Sequence, residues 1–192
     1  PTTTLIHPQL PGYDPEFAAY QQNVDEARQL LIDAGFEAGL DLELYVWNIP
    51  GFITLTEVIQ QQLINAGLNV ELQIVEFGTY ISEVRKGSYP FFINLGNIGV
   101  PDTAQWLYDS FHSTGAFNTG YSNPEVDALL EEALDEQDSA RRADLSRQAN
   151  ELILTDAIAV PIMNRIGAMV FQPWVLREEG VTPIYPRVRL NE

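Results

Sequence analysis

An α/β fold is predicted: a mainly parallel sheet flanked by helices, with a helical insertion. Three observations carry it. The unit "helix, Ala-Gly, alternating strand" occurs twice, at Ala34-Gly35 and Ala66-Gly67. Two strands joined by a helix form a βαβ unit, which makes them parallel and the crossover right-handed. A third run, 89–95, is apolar on both faces for most of its length, as a central strand is. Beyond residue 101 the apolar spacing changes to that of helices.

The elements follow in order. Pro1 to Tyr13 holds three prolines and a threonine run and reads as an extended lead-in or linker over 1–12. Asp14 and Pro15 have the form of an N-cap and first-turn proline. Tyr20, Val24, Ala27, Leu31 and Ala34 then recur at helical spacing, with Gly35 as the stop. Leu40, Leu42, Leu44 and Val46 alternate with polar or half-polar neighbours, predicting a strand over 40–46. Leu55, Val58, Ile59, Leu63 and Ala66 mark a helix stopped by Gly67, and a strand is predicted over 69–75. A short helix is expected over 78–86 and a third strand over 90–95. Asp102 can cap a helix through Trp106 and Leu107. Residues 111–122 read as a polar loop, and Asn123-Pro124 caps a helix with Val126, Leu129, Leu130, Ala133 and Leu134 on one face. Ser139 starts another, with Leu145, Ala149, Leu152 and Ile153 inward. Ile158 to Met163 and Ala168 to Phe171 have the look of short strands.

The 192 residues are 45% apolar, enough for a sizeable core. The charge is lopsided, with 27 acids against 10 bases and a net of −17. Binding to nucleic-acid phosphates or to an anionic membrane surface is therefore disfavoured. No apolar run reaches the roughly 18 residues of a membrane span. The lack of cysteine excludes disulfides, zinc-thiolate sites and a cysteine nucleophile. Residues 1–159 hold 24 acids and 6 bases, a net of −18, whereas 160–192 hold 3 acids and 4 bases, a net of +1. The near-neutral tail is a different kind of segment, one suited to packing on something else.

Enzyme chemistry has no positive sign. His7 lies in the lead-in, and His112 lies in a loop between Phe111 and Ser113, where a local hydrogen bond explains it. No metal-ligand spacing, nucleophile elbow or phosphate loop occurs, and no metal or cofactor is expected. Glu131 and Glu132 lie opposite an apolar helical stripe and read as a solvated face. Binding is better supported. In open α/β sheets ligands sit outside the carboxyl ends of the parallel strands. Those ends supply Trp47 and Asn48, then Phe77, then Asn94, Gly96, Asn97 and Gly99. An aromatic face, neutral amides and approachable backbone suit a small-molecule wall. The plain alternative makes Trp47 core and the glycines turn residues.

The order of motifs resembles one lobe of a known family. The stretches are YDPEFAAYQQNVDEARQLLIDAGF at 13–36, VIQQQLINAGLNVELQIVEFGTYISEVRKGSYPFFI at 58–93, and YSNPEVDALLEEALDEQDSARRADLSRQANELILTDAIAVPI at 121–162. They are similar to the C-terminal lobe of the extracytoplasmic solute-binding proteins of peptide, nickel and oligosaccharide ABC importers, family 5. The resemblance implies a periplasmic-binding-protein-like lobe of type II over 13–162. It implies a clamshell whose N-terminal lobe is absent from this chain, and a tail, 163–192, that crosses back to that lobe. It further implies a small ligand such as an oligopeptide or oligosaccharide, delivery to an ABC permease, and a periplasmic or extracytoplasmic, cell-surface location. A ligand-sensing regulatory module on the same lobe fold is the alternative, and a small hydrolase acting on sugars or peptides is a weaker one.

One departure bears on the ligand. Peptide binders of this family carry a Trp-x-Ala-Asp-Tyr element after the third strand, whose aspartate holds the ligand's amino terminus. Aligned back from Asp102, the tryptophan falls on Gly96 and the aspartate on Gly99, and an arginine that pairs ligand carboxylates in some members falls on Ile93. The resemblance then implies a neutral or differently anchored ligand.

Overall fold

The computed structural model describes residues 2–96 and 102–164 and the strands Val175–Arg177 and Val188–Leu190. It divides into two compact units, Pro1–Ile162 and Met163–Glu192.

The first unit is built on a βαβ pair. β1 (Asp41–Trp47) and β2 (Asn69–Val75) are parallel, in register from Asp41 opposite Asn69 to Trp47 opposite Val75. α2 (Pro50–Asn65) joins them. It begins earlier than residue 55, because Pro50 takes the first helical position, where a missing N–H costs nothing. α1 (Val24–Asp33) precedes β1. Its start differs from the Asp14-Pro15 expectation. Asn23 caps it, accepting from Glu26 N, while Asp14 Oδ1 accepts from Glu16 N at 2.8 Å in a local turn. An Asx side chain can close a turn as readily as a helix. Tyr20 lies outside the helix, and its hydroxyl donates to Thr155 O at 2.5 Å.

The third strand is the main correction. Residues 90–95 make one parallel bridge, Tyr45 to Phe92, in which Tyr45 N donates to Phe91 O and Ile93 N to Tyr45 O. β1, not this run, is flanked on both sides. The ladder stops for a visible reason. Ile93 O accepts from the buried Tyr80 hydroxyl at 2.6 Å instead of from a strand neighbour. Tyr80 comes from α3 (Phe77–Arg85), which is capped by Glu76.

The helical part is α4 (Thr103–Phe111), α5 (Pro124–Asp135) and α6 (Ser139–Thr155), capped by Asp102, Asn123 and Asp138 as neutral or acidic oxygens meet free backbone N–H groups. Leu107, Val126, Leu130, Ala149 and Ile153 form their shared core. The lead-in is not an extended linker: turns close from Leu10 N to His7 O and from Tyr13 N to Leu10 O, and its first residues dock on this core. Thr4 and Ile6 are buried, and Asn150 Oδ1 accepts from Thr4 Oγ1 and Leu5 N. Gly12 closes the approach: at φ +89°, a Cβ there would lie 2.7 Å from Ala143 O. Residues 158–163 form no strand, and the Ile162 carbonyl accepts a single bond from Thr2 N.

In the second unit β3 (Val175–Arg177) and β4 (Val188–Leu190) pair antiparallel, Val175 opposite Leu190. The strand expected over 168–171 lies outside the described residues.

Candidate ligand-binding edge

Parallel register places the strand ends side by side. Trp47 pairs with Val75, and Tyr45 with Phe92, so Asn48, Phe77 and Asn94 share one edge of the sheet. Asn48 continues the ladder, its N donating to Val75 O at 2.9 Å. α2 and α3 both start at this edge, directing helix N-termini towards it.

The predicted site residues divide. Asn48 is exposed. Phe77, in the first turn of α3, is 56% exposed. Asn94 is exposed, with Oδ1 accepting from Leu95 N at 2.9 Å. Gly96 lies against Trp106, where a Cβ would stand 3.1 Å from the indole Cζ2. Asn97 and Gly99 lie outside the described residues. Trp47 is a correction: it is 4% exposed, and its ring face does not line the surface. Tertiary packing draws it into an aromatic cluster with Phe52 at 4.7 Å, Tyr80 at 5.1 Å and Phe77 at 6.1 Å between centroids. Burying a large ring against α2 and α3 outweighs leaving it in water. Its Nε1 is buried and finds no partner among the described residues.

Charge is sparse here. Among the carboxylates at these strand ends, Glu76 has a perturbed acidity. The backbone N–H groups of Gly78 and then Thr79 hold its carboxyl below the usual range, since they favour the charged form. The arginine position of the resembled family is Ile93, a buried core residue beside Leu44 and Val70. Tyr80 went unnoticed in the sequence. Its place on the apolar face of α3 with Val84 was legible, but its bond to Ile93 O was not.

Residues elsewhere carry structure. Asp102 caps α4 as expected, accepting from Ala104 N and Gln105 N. His112 is more than a loop residue: it is 4% exposed, stacks on Tyr108 at 4.1 Å and accepts from Thr114 N through Nδ1. That leaves Nε2 to carry the proton towards Glu131 Oε1, 3.3 Å away. Two surface depressions lie away from the edge, one at the amino-terminal ends of β1 and β2 and one between α5 and α6.

Known structures share this fold. The structure of MoaA in complex with mannopinic acid, from A. tumefaciens R10, matches with a TM-score of 0.76 at 25% identity, covering 84% of this chain and 34% of that one. Burkholderia pseudomallei OppA matches with a TM-score of 0.70 at 25% identity, over 81% and 33%. The fold is that of a type II periplasmic binding protein lobe, an α/β unit with its candidate site at the strand ends. The family model described as bacterial extracellular solute-binding proteins, family 5 Middle, matches residues 1–118. The chain belongs to that family, which is one of binding proteins and not of enzymes. Among relatives, the Haemophilus influenzae heme-binding protein A is 25% identical over 88% of this chain and 32% of its own length. The Bacillus subtilis dipeptide-binding protein DppE is 30% identical over 73% and 27%. The chain spans about a third of the length of these relatives.

Proposed function

We propose that this chain is the C-terminal lobe of a two-lobed solute-binding component of an ABC importer. Its carboxyl-edge residues Asn48, Phe77, Asn94 and Gly96 form one wall of a cleft; Asn97 and Gly99, also expected there, lie outside the described residues. The observation that carries this reading is the parallel register that brings the ends of β1 and β2, and the residues after the Tyr45–Phe92 bridge, to one edge. A small peptide or peptide-like solute is the favoured ligand. The relatives named for dipeptide and glutathione binding support that choice. The N-terminal lobe of the same protein closes the cleft, an ABC permease receives the solute, and the protein works in the periplasm or at the extracytoplasmic surface.

The test is calorimetry on the two-lobed protein with short peptides and neutral oligosaccharides. Saturable peptide binding is expected. Binding of oligosaccharides alone overturns the peptide assignment, and binding of neither overturns the solute-carrier reading. The isolated lobe is expected to bind poorly, because a pocket encloses most of a small ligand's surface and one wall cannot.

A further inference from the structure

Trp47 is withdrawn into the core, and a different indole stands at the edge. Gly96 lies on Trp106 of α4: a Cβ built on it would stand 3.1 Å from Cζ2, 3.6 Å from Cε2 and 3.7 Å from Nε1. One side of the indole therefore faces the Gly96 backbone. That backbone is not left-handed, so turn geometry does not call for glycine there. What the missing side chain allows is the close approach to the ring.

Trp106 is half-buried and held in place. It packs against the helical core and meets Phe111 edge-on, 6.1 Å between centroids. The helix that carries it is fixed at its start, where Asp102 caps the backbone and accepts from Arg142 Nη2. The exposed Phe77 stands at the other end of the edge. It follows β2, whereas Gly96 follows the run that bridges β1 on its opposite side. Two strand spacings, about 10 Å, separate those chain ends. Between them lie the exposed neutral amides of Asn48 and Asn94. No lysine, arginine or histidine occurs within 45–53, 74–79 or 91–96. Glu76 turns its Oε2 onto Thr79 N at 3.1 Å. Rings at the two ends with uncharged amides between them suit apolar side chains joined by amide groups, which is what a short peptide offers.

We propose that Trp106 is a specificity-determining residue of the solute site, its indole edge beside Gly96 receiving an apolar side chain of the bound peptide. This rests on the peptide reading above and adds the residue that selects among peptides.

Calorimetry on the two-lobed protein with methionyl-leucine and alanyl-alanine tests this. The wild type is expected to prefer methionyl-leucine. Trp106→Ala removes the ring, and Gly96→Ala displaces it without straining the backbone. Each is expected to lower the ratio of the two affinities about tenfold, one aromatic contact's worth. Gly96→Ala is expected to lower that ratio little further once Trp106 is gone, because both substitutions act on one contact. A ratio that either single variant leaves unchanged overturns the proposal, as does a wild type that binds both peptides alike. A wild type that binds neither overturns the peptide reading and the proposal with it. Nuclear magnetic resonance of the wild type guards against a Trp106→Ala protein that misfolds. The assigned Trp106 indole proton is expected to shift on adding methionyl-leucine, and less on adding alanyl-alanine. A Trp106 indole proton unmoved by saturating methionyl-leucine overturns the proposal.

Discussion

Asp102 and Arg142 meet at 2.6 Å and tie three helices together. Asp102 Oδ1 accepts from the first N–H groups of α4, while its Oδ2 accepts from Arg142 Nη2. Arg142, on α6, also donates through Nη1 to Ala133 O and Leu134 O at the end of α5. One guanidinium thus satisfies a capping carboxylate and two carbonyls that a helix end leaves free. The planar fork is what allows it to reach all three.

Arg142→Ala is expected to destabilise the lobe by about 2 kcal/mol, discounting the pair for its partial exposure. Arg142→Lys is expected to recover only part of this, since an ammonium cannot bridge both groups. Urea midpoints of the three proteins check both statements.

Tyr80→Phe is expected to cost about 1 kcal/mol, because Ile93 O loses its buried donor. Residues 90–95 make one backbone bridge to β1, and this bond ties the run to α3. Amide exchange should accelerate at Ile93 and around Asn94 more than at β2. Uniform acceleration across the sheet would contradict the anchoring role.

Asn150→Ala is expected to release the opening segment. Thr4 Oγ1 and Leu5 N both donate to the Asn150 side chain, which is buried. Loss of that acceptor strands two donors, at about 1–3 kcal/mol. Faster protease cleavage within residues 2–12, with cleavage of α5 and α6 unchanged, is the outcome to look for.

Acid is expected to weaken the lobe through specific carboxylates. The Tyr121 hydroxyl, and then the Asn123 amide, hold the Asp156 carboxyl below its ordinary value, and Arg147 does the same for Asp144. A depressed folded value means that the unfolded chain binds protons first. The contribution is present above the ordinary carboxylate range and is lost as pH falls through the lower folded values. Carboxyl resonances should show Asp156 titrating below a typical aspartate. Tyr121→Phe should move that titration upward.

The sequence carries an expectation for the tail, most of which lies outside the described residues: 163–192 pack less tightly than the rest, or are stabilised by another copy of the chain. Val170, Phe171, Trp174, Val175 and Leu176 are apolar enough to need a partner. Amide exchange on a strictly monomeric sample of this chain is expected to show the tail less protected than α5 and α6. Equal protection would count against it.

The sequence by itself determined the α/β class, the parallel pair and the helices from Asp102 onward. Those signals are local. Side-chain period, an Asx cap before an apolar stripe and a glycine stop each act within a few residues. It also marked the strand ends as the edge to examine, because the βαβ order dictates where they lie. Only the tertiary structure decided which apolar residues face water there. Trp47 and Phe77 are equally aromatic in the chain, yet Trp47 is packed between α2 and α3 while Phe77 stays open. Only tertiary contact, too, reduced 90–95 to a bridge, since the acceptor that a strand neighbour would have used is taken by Tyr80 from another element. Asp14 and Asn23 compete for the same capping role, and the nearer acidic first turn favours Asn23. Such choices depend on partners distant in sequence, and no period or spacing records them.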